Sequence, residues 1–328
     1  MLLLSSGLIM KNWKRKRVLM ELAYLPVHFY LKFQHSVFAD THPLFVLRSV
    51  LGKNLRSMCC IAHSENCSSC MYNKTCAYAF IFETILSQDN KIQPGRNTAS
   101  HPFSFTQNSK ITDKGSIITS FDFTITLFGK AVEYLPYIYA AFVRAGKDGL
   151  FKSRIQYIVE DVTVSSNSIL ENSETIQVSH TPNIWKYNPD NTESKKGDVL
   201  VELLSPLRFK TAGKYTTEFD AEAFMLCLFR RMKTLCLLYG SGEEDMVYSR
   251  ENDELLLTDR NLIWQDYSHY STRQKDAMAL GGALGTFKLH GTFTPLDLAL
   301  LDLSKVVNAG KNTNFGLGQL NVWQQWEN

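Results

Sequence analysis

Twice along this 328-residue chain a β-prone stretch gives way to a helical apolar stripe and then returns to strand-like alternation. That repeated order constrains the fold more than any single motif. In the first half, residues 27–38 are apolar and aromatic and predict a strand. Leu44, Leu47, Leu51, Leu55 and Met58 then recur at helical spacing, with Arg48, Lys53 and Arg56 elsewhere on the cylinder, so 44–60 predicts a helix. Residues 88–115 are polar and read as loop, 116–128 as a strand, 132–145 as a helix and 151–164 as a strand. The second half predicts a strand at 198–207 and a helix at 219–239, capped by Asp220 and apolar through Phe224, Leu228, Met232 and Leu235. Strands at 262–270 and 280–289, a helix at 295–309 and a final strand at 319–323 follow. The expected class is α+β, with tandem ferredoxin-like (RRM-like) domains. The expected divisions are an N-terminal extension at 1–17, a first domain at 18–165, a linker or exposed loops at 166–197 and a second domain at 198–328.

The length suits two domains of about 150 residues each. Hydrophobic content of 45% and aromatic content of 12% can fill two cores, and a net charge of +3 does not by itself announce a nucleic-acid partner. A phosphate-binding surface would need a local concentration of Lys and Arg. The apolar opening Met1 to Met10 precedes the basic run Lys11, Lys14, Arg15, Lys16 and Arg17, the reverse of a secretory signal. It is also shorter than the roughly 20 residues of a spanning helix. The expectation is a cytoplasmic protein without a membrane segment, whose basic run is a terminal extension or, in the sharper reading, an RNA contact.

Between the last predicted helix and strand lies Gly310-Lys311-Asn312-Thr313-Asn314-Phe315-Gly316-Leu317-Gly318. Glycines permit turns that bring backbone amides toward an anion without Cβ obstruction. Gly310, Lys311, Asn312, Gly316 and Gly318 are therefore candidates to hold a phosphodiester, with Phe315 a core anchor.

Cys59, Cys60, Cys67, Cys70 and Cys76 fall within eighteen residues, and Cys227 and Cys236 lie in the long second-half helix. An odd, clustered set does not suit a disulfide framework. The expected arrangement is structural zinc on Cys60, Cys67, Cys70 and Cys76, within an insertion at 59–83. Cys59 is the fallback ligand and an iron–sulfur cluster the alternative.

Several segments, in order, resemble the RAMP-superfamily endoribonucleases that process precursor CRISPR RNA. Arg48-Ser-Val-Leu-Gly52-Lys53-Asn-Leu-Arg56 is similar to the family's first helix, and Cys67-x2-Cys70-x5-Cys76 to the cysteine insertion of one branch. Leu127-Phe128-Gly129, Tyr134-Leu135-Pro136-Tyr137, Leu204-Ser-Pro206-Leu-Arg208 and Tyr270-Ser-Thr-Arg273-Gln274 also match, and the terminal glycine loop is the superfamily's common mark. The resemblance implies metal-independent cleavage of CRISPR repeat RNA by its own 2′-hydroxyl, giving 2′,3′-cyclic phosphate and 5′-hydroxyl ends. It implies partners in crRNA and other CRISPR effector subunits, with no small-molecule substrate. The alternative it leaves open is a non-catalytic RAMP subunit that binds guide RNA.

The same resemblance points to His42, at the helix entrance, as general acid/base, Lys53 as electrostatic stabiliser and Tyr30 as positioning or acid group. Arg208, Arg273 and His269 fall in or beside family-like motifs and are expected to contact RNA. Relatives carry Gly-His where this chain has Gly52-Lys53, so His35 and His269 are further candidates for the base, or activity is lost. Asn312 likewise replaces a glycine of the usual loop. His290 is expected in a turn, His63 as structural, and Arg230, Arg231 and Lys233 on a solvated helix face. A metal-dependent nuclease is disfavoured because no convincing paired-carboxylate motif occurs.

Overall fold

The computed structural model describes residues 20–86, 92–93, 98–108, 114–172, 175–250, 255–271 and 276–327. The extension at 1–17 and Arg273 lie outside the described residues. In chain order the first half runs β1 (Met20–Phe38), α1 (Pro43–Cys59), β2 (Phe103–Gln107), β3 (Ile117–Phe128), α2 (Leu135–Asp148) and β4 (Tyr157–Val164). Two short strands follow, β5 (Asn167–Ser168) and β6 (Asn183–Tyr187). The second half runs β7 (Lys195–Leu207), the small hairpin β8 (Lys210–Thr211) and β9 (Lys214–Tyr215), then α3 (Ala221–Tyr239) and β10 (Leu255–Gln265). A second hairpin, β11 (Ser268–Ser271) and β12 (Asp276–Ala279), precedes β13 (Gly282–Phe293), α4 (Pro295–Val307) and β14 (Leu320–Trp326).

The first sheet is ordered β2-β3-β1-β4-β5, with β6 also pairing with β1. The second is ordered β10-β13-β7-β14. In each, the strands flanking the two helices take the spatial order second, third, first, fourth. All pairings in both sheets are antiparallel. The protein is thus a mixed α/β molecule built on antiparallel sheets that share one connection pattern.

Alternation explains which face of β1 is buried. Leu25, Val27, Phe29, Leu31 and Phe33 point into the first core, where they meet Leu47, Leu51 and Leu55 of α1 and Ile138 and Phe142 of α2. The ring of Phe29 lies 5.3 Å from Phe123 and 5.1 Å from Phe142. In the second core, Val199, Val201, Phe287 and Leu289 pack on Phe224, Leu228, Met232 and Leu235, the stripe expected of this helix. Asp220 caps α3 by accepting from the Ala223 amide at 2.7 Å, as its position predicts. α4 opens on a capping box, Thr294 with Asp297, and the fully buried Asp297 also accepts from Tyr248 and Arg250.

Two stretches read as loop contain strands. Residues 88–115 include β2, whose aromatic pair Phe103 and Phe105 is buried at the edge of the first sheet. The 166–197 stretch contains β6, which pairs Asn183–Tyr187 with Met20–Tyr24. That pairing extends β1 seven residues before its expected start at Val27. The extension carries Met20 and Leu22 into the second core, so β1 serves both cores.

Candidate functional site

α1 turns Leu44, Leu47, Leu51 and Leu55 inward, which leaves its other face to Arg48, Gly52, Lys53 and Arg56. That face forms one wall of a cleft of about 1190 Å³ between the two halves. The opposite wall is made by Lys210, by Arg230 and Arg231 of α3, and by the loop from Gly310 to Phe315. Seven cationic side chains line the cleft, and no Asp or Glu does among the described residues. Low-dielectric walls of one sign focus their field on a polyanion, so this cleft supplies the local charge that the whole-chain balance does not.

Arg48 is the hub of this site. Its guanidinium stacks 4.1 Å from the ring centre of Phe315 and 5.4 Å from Phe82. With its amide turned so that the oxygen faces donors, Asn314 accepts from Arg48 Nε at 2.9 Å and from His101 Nε2 at 3.0 Å. His101 is stacked on Phe103, 5.7 Å between ring centres. Gly52 lets the ring of Phe82 approach, since a Cβ there would stand 2.9 Å from Phe82 Cε1.

The glycine loop holds the halves together. Phe315 and Leu317 pack with Phe45 and Leu280 in a small third core, and Phe315 is the anchor expected of it. Asn308 donates to the carbonyls of Phe105 and Leu317. The expected cradle of outward amides is corrected at Gly316 and Gly318. Both are buried, with φ of +87° and +73°, and their amides donate to Thr313 and Pro206 carbonyls. The Lys311 amide is likewise taken, by the Arg208 carbonyl at 2.8 Å. What reaches the cleft is the Lys311 side chain with Gly310 and Asn312, the latter at φ +61°. Asn replaces Gly there without loss of the left-handed turn.

The structure does not gather the three residues expected to carry chemistry. Lys53 lines the cleft, and its Nζ lies 3.5 Å from Asp148 in an exposed pair. His42 is only 7% exposed. Its ring stacks on Phe45 at 4.6 Å, meets Tyr267 edge-on at 5.3 Å and has Nε2 3.2 Å from Gln107 Nε2. The cause is its place at the start of α1, where the two halves close on it. Tyr30 alternates out of the first core and stands 39% exposed between Asp122 and Asp161 of neighbouring strands. Neither His42 nor Tyr30 lines the cleft.

Other expected sites fall differently. Arg208 stacks 3.8 Å over Tyr215 and donates to the Gly281 carbonyl at 2.6 Å, so it braces the second half away from the cleft lining. His269 sits in the β11–β12 hairpin, paired with Met278. His35 is exposed where β1 is irregular. His290 lies in β13, not in a turn, and pairs with Asp198 at 2.7 Å. Arg231 is buried where a solvated residue was expected, and Lys233 is tied to the Met246 carbonyl at 2.8 Å. His101, Asn314, Lys210 and Arg231 were missed as site residues. Only their positions in separate segments could be read from sequence, and no local pattern joins those segments.

All five clustered cysteines line a second hollow, about 300 Å³, beside Tyr134 and Tyr137. Thiols are suitable donors for zinc. They do not converge, however: among the described residues no three Cys, His, Asp or Glu side chains could hold one ion. The expected ligand set Cys60, Cys67, Cys70 and Cys76 therefore shares a hollow and not a coordination sphere. Burial raises the thiol pKa values of Cys59 and Cys67, and neighbouring acidic groups add to the effect. Cys60 lines both this hollow and the cationic cleft.

Residues 201–320 match the family described as CRISPR-associated endoribonuclease Cas6. That match takes in 120 of the chain's 328 residues, from within β7 to the start of β14. Residues 22–183 match a second family, described as an N-terminal domain. A protein of Archaeoglobus fulgidus described as uncharacterised is 23% identical over 278 residues, 83% of this chain and 88% of that protein. Among solved structures, a Cas6 product complex aligns at 12% identity with a TM-score of 0.48, covering 92% of this chain and 99% of that one. Thermus thermophilus Cas6 aligns at 13% and 0.45, with coverages of 92% and 99%. A RAMP protein binding different RNA substrates aligns at 12% and 0.45, with coverages of 91% and 99%.

Proposed function

We propose that this chain is an endoribonuclease that cuts CRISPR repeat RNA to release guide RNAs. We further propose that it does so as two ferredoxin-like units, divided near residues 165 and 198, which clasp the strand between them. The observation that carries this reading is the cleft lined by seven cations and, among the described residues, by no carboxylate, walled on one side by the Cas6-matching half. In the reaction the O2′ of one ribose loses its proton and attacks the adjacent phosphorus. The P–O5′ bond breaks, and a proton passes to the leaving oxygen, leaving a 2′,3′-cyclic phosphate and a 5′-hydroxyl. Lys53 and Arg48 stand where they can offset charge that develops on the phosphoryl oxygens.

Partners under this reading are crRNA and other CRISPR proteins, as the Cas6 relatives' descriptions suggest. Zinc on the cysteine loop is a separate proposal, of a stabilising role only, and it requires Cys67 and Cys70 to close on Cys60 and Cys76.

One observation favours a second reading, a guide-RNA-binding subunit that does not cut. His42 is packed away, and His101, which lines the cleft with the exposed His63, is held by Asn314 beside Arg48. Incubation with cognate repeat RNA in EDTA decides between them. Cleavage at one position, blocked by a single 2′-deoxy substitution there, supports the enzyme. Tight binding with intact RNA establishes the subunit instead.

A further inference from the structure

Arg231 and Arg250 are both about nine-tenths buried, and they are provided for differently. Arg250 meets Asp297, itself fully buried, and donates also to the Thr292 carbonyl at 2.6 Å. Arg231 is 9% exposed and has no carboxylate within ion-pair distance among the described residues. Its Nη2 donates to the Val307 carbonyl at 3.1 Å, at the end of α4, but its buried Nε has no hydrogen-bond partner. A guanidinium removed from water without a counter-ion is costly. Desolvation pulls the Arg231 pKa down to about 10.

The missing counter-charge has a place to sit. Cys227, one turn before Arg231 on α3, lines the cleft together with Arg230, Arg231, Gly310 and Lys311. The three cations therefore share one stretch of the second-half wall of the cleft. The root of Lys311 is fixed by the bond from its amide to the Arg208 carbonyl. Gly310 adopts φ +75°, and its missing Cβ lets the loop pass against Arg208, whose carbonyl oxygen would stand 2.5 Å from a Cβ there.

We propose that this spot is an anion subsite, in which Arg231, Arg230 and Lys311 seat one RNA phosphate against the Gly310 backbone, across the cleft from Arg48 and Lys53. The assignment of RNA as the source of that phosphate rests on the function proposed above. The anion chemistry does not. A phosphate held on this wall fixes the register of the strand relative to the α1 wall, so these three are positioning residues.

The test has two arms. Inorganic phosphate is titrated into the full chain at constant ionic strength, with chloride as control, and the melting midpoint and the ³¹P line width are followed. Phosphate is expected to raise the midpoint where chloride does not, and the gain should vanish in Arg231→Gln and shrink in Lys311→Ala. In the second arm, repeat RNA made uncleavable by 2′-deoxy substitution is bound across a salt series. Arg231→Gln should weaken binding about tenfold or more, as removal of a charge-assisted hydrogen bond does. The slope of log K against log salt should fall by about 0.7 for each phosphate that is no longer neutralised. A purely structural Arg231 would leave that slope unchanged. Should Arg231→Gln fail to fold, the exposed Arg230→Ala and Lys311→Ala variants decide. Phosphate acting no better than chloride, with unaltered slopes in those variants, overturns the subsite while the cleft reading stands. Phosphate binding that needs Arg231, in a chain that ignores RNA, overturns the RNA reading and leaves the subsite.

Discussion

Gln107 and Gln319 grip each other across the two halves. The Gln107 amide donates to Gln319 Oε1 at 3.1 Å, and Gln319 Nε2 donates back to the Gln107 carbonyl at 2.8 Å. One side chain thus satisfies both backbone groups of an edge-strand residue, next to the buried His42 ring. Gln319→Ala removes both partners and is expected to cost about 1–3 kcal/mol, the penalty for orphaned buried polar groups. Urea unfolding measures it, and an unchanged midpoint would show that the grip contributes nothing.

Gly318 allows the chain to double back on Ala309. A Cβ at Gly318 would lie 1.8 Å from the Ala309 carbonyl oxygen, at φ +73°. Gly318→Ala combines a left-handed backbone penalty with a backbone clash, together about 3 kcal/mol or more. Gly213, at φ +80° with nothing within 4 Å, is the control. Its alanine variant should lose only the conformational part, about 1–2 kcal/mol. Equal losses at the two positions would mean that the close approach to Ala309 is not made.

The cores were legible in the sequence and the cleft was not, for a physical reason. Phe224, Leu228, Met232 and Leu235 recur at the spacing of one helix face, so their burial follows from local geometry alone. The cations of the cleft come instead from α1, from β8, from α3 and from the glycine loop, and each segment carries only a few charges. Adjacent residues Arg230 and Arg231 look alike in sequence, yet α3 buries one and exposes the other. β2 was hidden because its five residues stand in a polar stretch, and its place at a sheet edge beside the glycine loop is what stabilises it. His42 was placed correctly at the entrance of α1, but nothing local discloses that Tyr267 and Gln107 arrive from elsewhere to cover it.

His28 lies half-buried on the outer face of β1, with Nδ1 2.7 Å from Thr124 Oγ1 and 3.2 Å from Asn108 Nδ2. Burial lowers its pKa below 6.5, while the Asn108 bond and the Asp122 charge draw it part of the way back. The folded state therefore prefers the neutral ring. As pH falls through 6.5, the unfolded chain takes up a proton first, so stability declines until pH passes the folded pKa and is level below it. An NMR titration of His28 should show a midpoint under 6.5, moving lower still in Asp122→Asn. A midpoint above the ordinary histidine value would contradict the assigned cause.

The seven thiols should separate into two classes. Cys227 and Cys236 are buried, and burial pushes both pKa values up to about 12, so near neutral pH they have almost no thiolate to offer an alkylating reagent. Cys59, Cys60, Cys67, Cys70 and Cys76 are partly exposed around their shared hollow. In native protein stripped of metal by a chelator, iodoacetamide should modify the five and spare the two, read by mass spectrometry of peptides. If the loop closes on zinc, protein purified without chelator carries about one metal per chain, four of the five resist labelling, and the melting midpoint drops when the metal is removed. Protein purified without chelator that proves zinc-free, with all five thiols reacting freely, would end the zinc proposal and leave the RNA cleft, whose cations belong to other segments, unaffected.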